Sequence, residues 1–154
     1  MQRDLRRKER AIDETAAGEL LERGEYGILS TSDRGGRPYG VPLSYCVLDG
    51  AIYFHCATHG HKLENLADNS QVSFCVVGET EVLPAQFATR YQSVVVSGEA
   101  AEVYQEEKQL ALEGLVAKYS PEYHAEGVKY IEAVAARTRV FRIAIDAISG
   151  KARR

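Results

Sequence analysis

The chain has 154 residues, a formal net charge of −3 and 45% hydrophobic residues. This length fits one domain with a real hydrophobic core, and we expect a single domain over residues 1–154 with an N-terminal arm over residues 1–12. The slightly acidic balance argues against general nucleic-acid binding. We find no signal-peptide pattern and no apolar run long enough for a membrane span. Three cysteines without a CxxC pair favour reduced thiols, so we expect a cytoplasmic protein.

The first part of the chain is predicted to form one short helix and several strands linked by hairpins. The helix is expected at Asp13–Arg23, and strands are expected at Tyr26–Thr31, Arg37–Leu48 and Ala51–Ala57. The dipeptide Asp49-Gly50 between the last two segments is a strong signal for a tight hairpin turn.

The second part is predicted to add three strands and three helices. In chain order these are a helix at Lys62–Asn69, a strand at Gln71–Gly78, a strand at Gln92–Val103, a helix at Tyr104–Tyr119, a helix beginning at Ser120-Pro121 and a strand at Thr138–Ala147. Glu79–Thr89 contains Pro84 and has no clear period, so we predict a loop. Gly98 inside a long strand predicts a bulge or sharp bend. About six strands linked mostly by hairpins tend to close into a small barrel, because closure removes exposed edges.

The segment from His55 to Leu66 carries the clearest chemical signal in the chain. It leaves an apolar strand, turns at Gly60 and enters a predicted helix with Lys62 near its start. A helix N-terminus offers free backbone N–H groups and partial positive charge, and Lys62 adds a full charge there. Because the helix dipole disfavours a cation at this end, a nearby anion would remove the conflict. The pattern therefore predicts a phosphate or carboxylate site, with an ordinary surface lysine as the alternative.

Pro42 interrupts a strand that otherwise looks regular. Proline has no N–H to give to a neighbouring strand, so we expect this strand to be an edge or to be locally unpaired. The backbone groups of Val41, Leu43 and Ser44 could then bind a planar ligand with donors and acceptors along its rim. An ordinary edge strand is the simpler explanation of the proline alone.

Three of the four histidines lie in the same short segment, as His55, His59 and His61. His55 could contact a ligand or be an internally satisfied histidine of the barrel, whereas the other two flank a glycine in a loop. A metal site would need a fourth ligand, and Cys56 points to the opposite strand face from His55, so we predict no metal site. The GxSxG, Walker and GxGxxG motifs are also missing from the sequence.

Taken in order, these segments resemble the pyridoxamine 5′-phosphate oxidase-like flavoproteins, and the chain looks most similar to their 5-nitroimidazole-resistance (Nim-type) branch. The residues that carry the resemblance are Tyr26–Thr31, Arg37–Tyr45, Asp49–His55, Gly60–Leu66, Tyr91–Val94 and Ile148–Lys151. The resemblance implies a mainly β fold with flanking helices, a six-stranded antiparallel split β-barrel that binds FMN. It covers nearly the whole chain.

The resemblance also implies a homodimer with two FMN sites at the subunit interface. Together with the residue patterns above, it gives the candidate FMN-binding residues Val41, Pro42, Leu43, Ser44, Tyr45, His55, Cys56, His61, Lys62, Gln92 and Ser93. Lys62 and the backbone around Gly60 would hold the phosphate. Gln92 or Ser93 would come from the partner subunit, although both could simply mark the exposed entrance of a strand. Since the oxidases have an arginine where this chain has His61, we expect lower phosphate affinity.

The implied activity is that of an FMN-dependent oxidoreductase, which passes electrons from a nicotinamide donor to a small aromatic or nitroaromatic acceptor. Tyr45 and His55 are the candidates for supplying a proton at the reduced flavin. Two alternatives stay open: haem binding or haem breakdown on the same barrel, and a non-catalytic module that binds a flavin or a small acid.

Overall fold

The computed structural model describes residues 3–154, so the first two residues of the expected N-terminal arm lie outside the described residues. Ala11–Ile12 of the arm form β1, a short strand that pairs with the last strand of the sheet. The first helix, α1, spans Glu14–Arg23, as predicted. Its N-cap is Asp13, whose carboxylate accepts a hydrogen bond of 2.8 Å from the Ala16 N–H.

The described residues form nine strands in one antiparallel sheet. After β1, the strands are β2 (Gly27–Ser32), β3 (Pro38–Leu43), β4 (Cys46–Leu48), β5 (Ala51–Cys56), β6 (Gln71–Val77), β7 (Glu81–Leu83), β8 (Ala88–Val103) and β9 (Arg139–Arg153). The remaining α-helices are α2 (His61–Asp68), α3 (Gln105–Tyr119) and α4 (His124–Val134). The strand order is β3-β2-β6-β8-β9-β5-β4, with β1 added on β9 and β7 on β8.

The sheet curls into a split barrel because one chain segment supplies both of its edges. The prediction of one continuous strand over Arg37–Leu48 is wrong: the segment breaks at Ser44-Tyr45. Before the break β3 pairs with β2, and after it β4 pairs with β5 at the opposite end of the strand order. Two residues bridge only a few ångströms, so the two edges must lie close together. The split-barrel class is confirmed. Nine strands replace the predicted six, since this break, the arm and the predicted loop each contribute one more.

Two residues of α3 hold the break in place. Tyr45 is fully buried, and its hydroxyl donates a hydrogen bond to the Leu21 carbonyl. The Lys118 ammonium donates to the Tyr45 carbonyl at 3.0 Å and lies 3.7 Å from the centre of the Tyr45 ring. The Tyr119 hydroxyl accepts a 3.1 Å hydrogen bond from the Tyr45 N–H and lies 2.7 Å from the carbonyl oxygen of Glu25.

Replacing Tyr119 with phenylalanine should lower the free energy of unfolding by about 1 kcal/mol, because the Tyr45 N–H then loses its partner. Thermal unfolding followed by circular dichroism measures the change. Tyr123→Phe is the matched control, since the Tyr123 side chain is 63% exposed and makes no hydrogen bond within the described residues. Equal melting temperatures for the two variants would contradict this account of the break.

The long central strands explain the other differences from the sequence-based expectation. The predicted loop at Glu79–Thr89 contains β7, which pairs with the start of β8. β9 continues past the predicted end at Ala147 to Arg153, because its last residues pair with β8 from Tyr91 onward.

The bulge predicted at Gly98 is confirmed, since the register of β8 against β9 shifts between Ser97 and Gly98. The predicted hairpin at Asp49-Gly50 is confirmed too, and both residues have positive φ angles, as a type I′ turn requires.

The hydrophobic side chains form two clusters on opposite faces of the sheet. The larger fills the barrel around Phe54 and Phe74 and includes the buried face of α1. The smaller lies between the sheet and the α3–α4 pair, with Leu112 and Ile131 among its members. None of the helices in residues 3–154 combines the length and apolar character needed to cross a bilayer.

Candidate functional site

The α2 helix is fixed to the barrel by a buried polar contact as well as by apolar packing. The Asn65 amide donates a hydrogen bond of 3.0 Å to the Thr31 hydroxyl on β2, and both side chains are buried. Near the end of the helix, the Asn69 amide bonds the Ser32 hydroxyl at 2.9 Å. Leu63 joins the barrel core. These contacts hold the first turn of α2 at a fixed place on the barrel surface.

The N-terminus of α2 has the features of an anion site. Its N-cap, Gly60, has φ 149° and ψ 171°, a backbone conformation that is almost restricted to glycine. The first N–H groups of any helix have no partner within the helix, and no side chain in the described part of the chain caps this one. Lys62 stands in this first turn and is half-buried. The positive end of the helix and the lysine therefore act at one place.

A small cavity of about 120 Å³ lies at this helix start. Tyr39 and Val41 of β3 line one side of it, and Gly60, His61 and Lys62 line the other. The rings of Tyr39 and His61 are stacked, with their centres 3.9 Å apart and their planes 29° from parallel. This stacking joins the edge strand to the helix start, so the cavity has one wall from each.

A larger cavity of about 650 Å³ adjoins the small one, because Cys56 and Ala57 line both. We call it the α3–α4 cavity. His55 and Ser44 form its barrel side. The helical side is mostly apolar but also contains two tyrosines and one arginine; it includes Leu112, Leu115, Tyr119, Tyr130, Ile131 and Arg137.

The charge of Lys62 acts on the pKa values of His55 and Cys56. Desolvation lowers the pKa of His55, and the charge of Lys62 lowers it further, which favours the neutral imidazole. Burial raises the pKa of the Cys56 thiol, which Lys62 and Arg139 oppose. Cys56 is therefore a thiol rather than a reactive thiolate at neutral pH.

The structure brings six of the candidate FMN-binding residues to these two adjoining cavities. Val41, His61 and Lys62 line the small cavity, Ser44 and His55 line the α3–α4 cavity, and Cys56 lines both.

Five candidates lie elsewhere. The Tyr45 side chain is in the core and its hydroxyl is engaged by Leu21, so it is not retained as a proton source. Pro42 is exposed on β3, which pairs only with β2 in the described chain, as the edge-strand prediction requires. Leu43 packs against the barrel core. Gln92 accepts a 3.0 Å hydrogen bond from Arg23, and Ser93 on β8 pairs with Lys151; neither lines either of these two cavities.

The histidines separate into two places. His55 faces the α3–α4 cavity, whereas His59 and His61 line the small one. In the part of the chain that the structure describes, no three His, Cys, Asp or Glu side chains come together in a way that could hold a metal ion.

Sequence reasoning missed several residues that line the cavities. Tyr39 could have been found, because it alternates with Val41 along the edge strand and so shares its face. Tyr119, Tyr130 and Arg137 could not, since nothing in their local sequence indicates that α3 and α4 pack beside the end of β5.

Comparison with known proteins agrees with this architecture. Many solved structures share the fold, including the following three. A candidate 5-nitroimidazole antibiotic resistance protein from Bacteroides thetaiotaomicron matches with a TM-score of 0.75 and 21% identity over 92% of this chain and 86% of that one. A FAD-binding protein from Mesorhizobium loti matches with a TM-score of 0.68 and 24% identity over 94% of this chain and 98% of that one. A FAD- and haem-binding protein from Mycobacterium smegmatis matches with a TM-score of 0.75 and 20% identity over 91% and 71%.

Sequence comparison then assigns the chain to a family. No curated protein matches it in sequence. The family model described as pyridoxamine 5′-phosphate oxidase matches residues 13–152, which include every strand except β1 and the end of β9. The chain therefore belongs to the pyridoxamine 5′-phosphate oxidase-like family of split-barrel proteins.

Proposed function

We propose that this protein binds FMN and uses it to pass electrons from a nicotinamide donor to a small aromatic or nitroaromatic acceptor. The observation that carries the proposal is the basic, uncapped start of α2, where Gly60 and Lys62 meet the edge strand at a small cavity. A phosphate at this place would accept hydrogen bonds from the first N–H groups of the helix and from the Lys62 ammonium. Membership of the family supports the same assignment.

The size of the small cavity bears on where the rest of the cofactor lies. Ligand pockets usually have volumes of about 300–1,000 Å³, so a cavity of about 120 Å³ takes the phosphate and little more. In the proposal, the ring system lies along the open edge of β3, beside the backbone of Val41, Pro42 and Leu43. This edge is open in one chain, so a second copy would cover the ring and supply Gln92 or Ser93. A homodimer follows from the proposal, and sedimentation equilibrium tests it.

FMN would supply the redox chemistry, and the residues of the chain would hold it and manage protons. Lys62 and the helix start fix the phosphate. The lowered pKa of His55 favours its neutral imidazole, which donates a hydrogen bond from one nitrogen and accepts one at the other. In the proposal it relays a proton from solvent to the acceptor after electron transfer: one nitrogen takes up a proton as the other gives one, so the ring ends neutral.

Titration of the purified protein with FMN tests the proposal directly. We expect saturable quenching of flavin fluorescence and a shifted flavin absorption spectrum. Reduced nicotinamide and a panel of nitroaromatic compounds then test turnover, with free FMN at the same concentration as the control. Turnover no faster than that of free FMN would leave a non-catalytic flavin module.

Because a solved structure with this fold is named as FAD- and haem-binding, haem is added in a parallel titration. A Soret band without flavin binding would favour the haem alternative.

A further inference from the structure

The α3–α4 cavity has a lining suited to a flat, partly apolar ligand. Leu112, Leu115 and Ile131 form its apolar wall, and Tyr119 and Tyr130 also line it. Its volume of about 650 Å³ falls within the range of small-molecule sites. An aromatic ring placed there would bury apolar surface against the wall and could stack on a tyrosine ring.

The formal charge in this cavity is positive. Arg137 is the only formally charged residue among the described residues that line it, and no acidic side chain is present. Arg137 also has no hydrogen bond or ion pair to another side chain in residues 3–154, so its guanidinium is available for a ligand. A guanidinium presents parallel N–H donors that match the two oxygens of a carboxylate. Lys62 adds positive potential, since the two cavities share Cys56 and Ala57.

From these features we infer that the α3–α4 cavity binds a small aromatic monocarboxylate, with its ring on the apolar wall and its carboxylate on Arg137. Ser120 and Thr138 also line the cavity, and the Thr138 hydroxyl donates to the Val134 carbonyl. The role of this ligand as the electron acceptor rests on the proposed function. Its binding to the cavity does not, because the cavity and its charge belong to the chain alone.

The test compares benzoate with benzamide, which has nearly the same shape but no charge. Isothermal titration calorimetry at low salt measures both, with and without saturating FMN. We expect benzoate to bind at least tenfold more tightly than benzamide, and Arg137→Gln to remove this preference. Arg137→Lys should restore part of it, because the charge returns without the paired donors. Lys129→Gln is the matched control: it removes an exposed cation from α4 that does not line the cavity.

Each result has a defined meaning. Equal affinities for benzoate and benzamide, or an unchanged preference in Arg137→Gln, would overturn the inference. Competition between benzoate and FMN would overturn it too, since the cavity would then belong to the flavin. Selective binding of benzoate by a protein that does not bind FMN would uphold the inference and reject the proposed function. Circular dichroism spectra of the variants show that each one is folded.

Discussion

Replacing Lys62 with alanine should weaken FMN binding by roughly ten- to a hundredfold. A charge-assisted hydrogen bond contributes about 1.5–3 kcal/mol, and every 1.4 kcal/mol is about a tenfold change in the dissociation constant. The effect is expected because Lys62 supplies the full positive charge at the small cavity, while the helix start contributes only partial charges. Quenching of flavin fluorescence, measured at one fixed ionic strength, gives the dissociation constants.

Two controls make the result specific to the phosphate. Lys129→Ala removes an exposed lysine from α4, far along the chain from α2, and should leave the affinity unchanged. Riboflavin has the same ring system without the phosphate, so its affinity should be the same in the wild-type protein and in Lys62→Ala. Should Lys62→Ala bind FMN as tightly as the wild-type protein does, the phosphate lies elsewhere. Equal losses for FMN and riboflavin would instead indicate a general disturbance of the site.

Replacing Gly98 with alanine should lower the free energy of unfolding by about 3 kcal/mol, near the upper end of the usual cost of overpacking. Gly98 is buried at the register shift between β8 and β9. A Cβ atom there would overlap the Ala144 carbonyl oxygen and lie 2.9 Å from Cγ2 of Ile143. Because the nearest atom belongs to the backbone of a central strand, a side-chain rotation cannot relieve the clash. Denaturant unfolding at constant protein concentration measures the change.

Gly18→Ala is the matched control for this substitution. Gly18 lies inside α1, and a Cβ atom added there would meet no atom within 4 Å. Alanine in a helix interior is favoured over glycine by roughly 0.5–1 kcal/mol, so this variant should be more stable than the wild-type protein. The two glycine replacements should therefore change stability in opposite directions. Similar stability for both variants would show that β9 can move away from β8 at little cost.

The features that the sequence predicted correctly depend on short stretches of chain. Asp49-Gly50 specifies its turn through its own φ angles, and Asp13 caps a helix through a neighbour three residues away. The start of α2 is likewise set by Gly60 and the residues that follow it. The position of this helix start, which we propose as the phosphate site, was predictable for this reason.

The features that the sequence did not predict depend on which distant strand or helix lies alongside. Arg37–Leu48 has the pattern of one strand, and only the exchange of β2 for β5 as partner breaks it at Ser44-Tyr45. The α3–α4 cavity arises where two helices pack beside the end of β5, and the helical pattern of each does not identify that neighbour. The local sequence also does not show what packs around Tyr45. We expected this residue at the site, but its side chain points into the barrel.

The pairing of β9 has a consequence for how the protein folds during synthesis. This last strand is the hydrogen-bonding partner of β1, β5 and β8, three strands that are made well before it. Until residues 139–153 have emerged from the ribosome, each of the three earlier strands presents an unpaired backbone edge to the solvent. Such edges promote association with other chains. We therefore expect nascent chains halted before residue 139 to aggregate or to recruit chaperones, and barrel closure to follow the emergence of residues 139–153 from the ribosome.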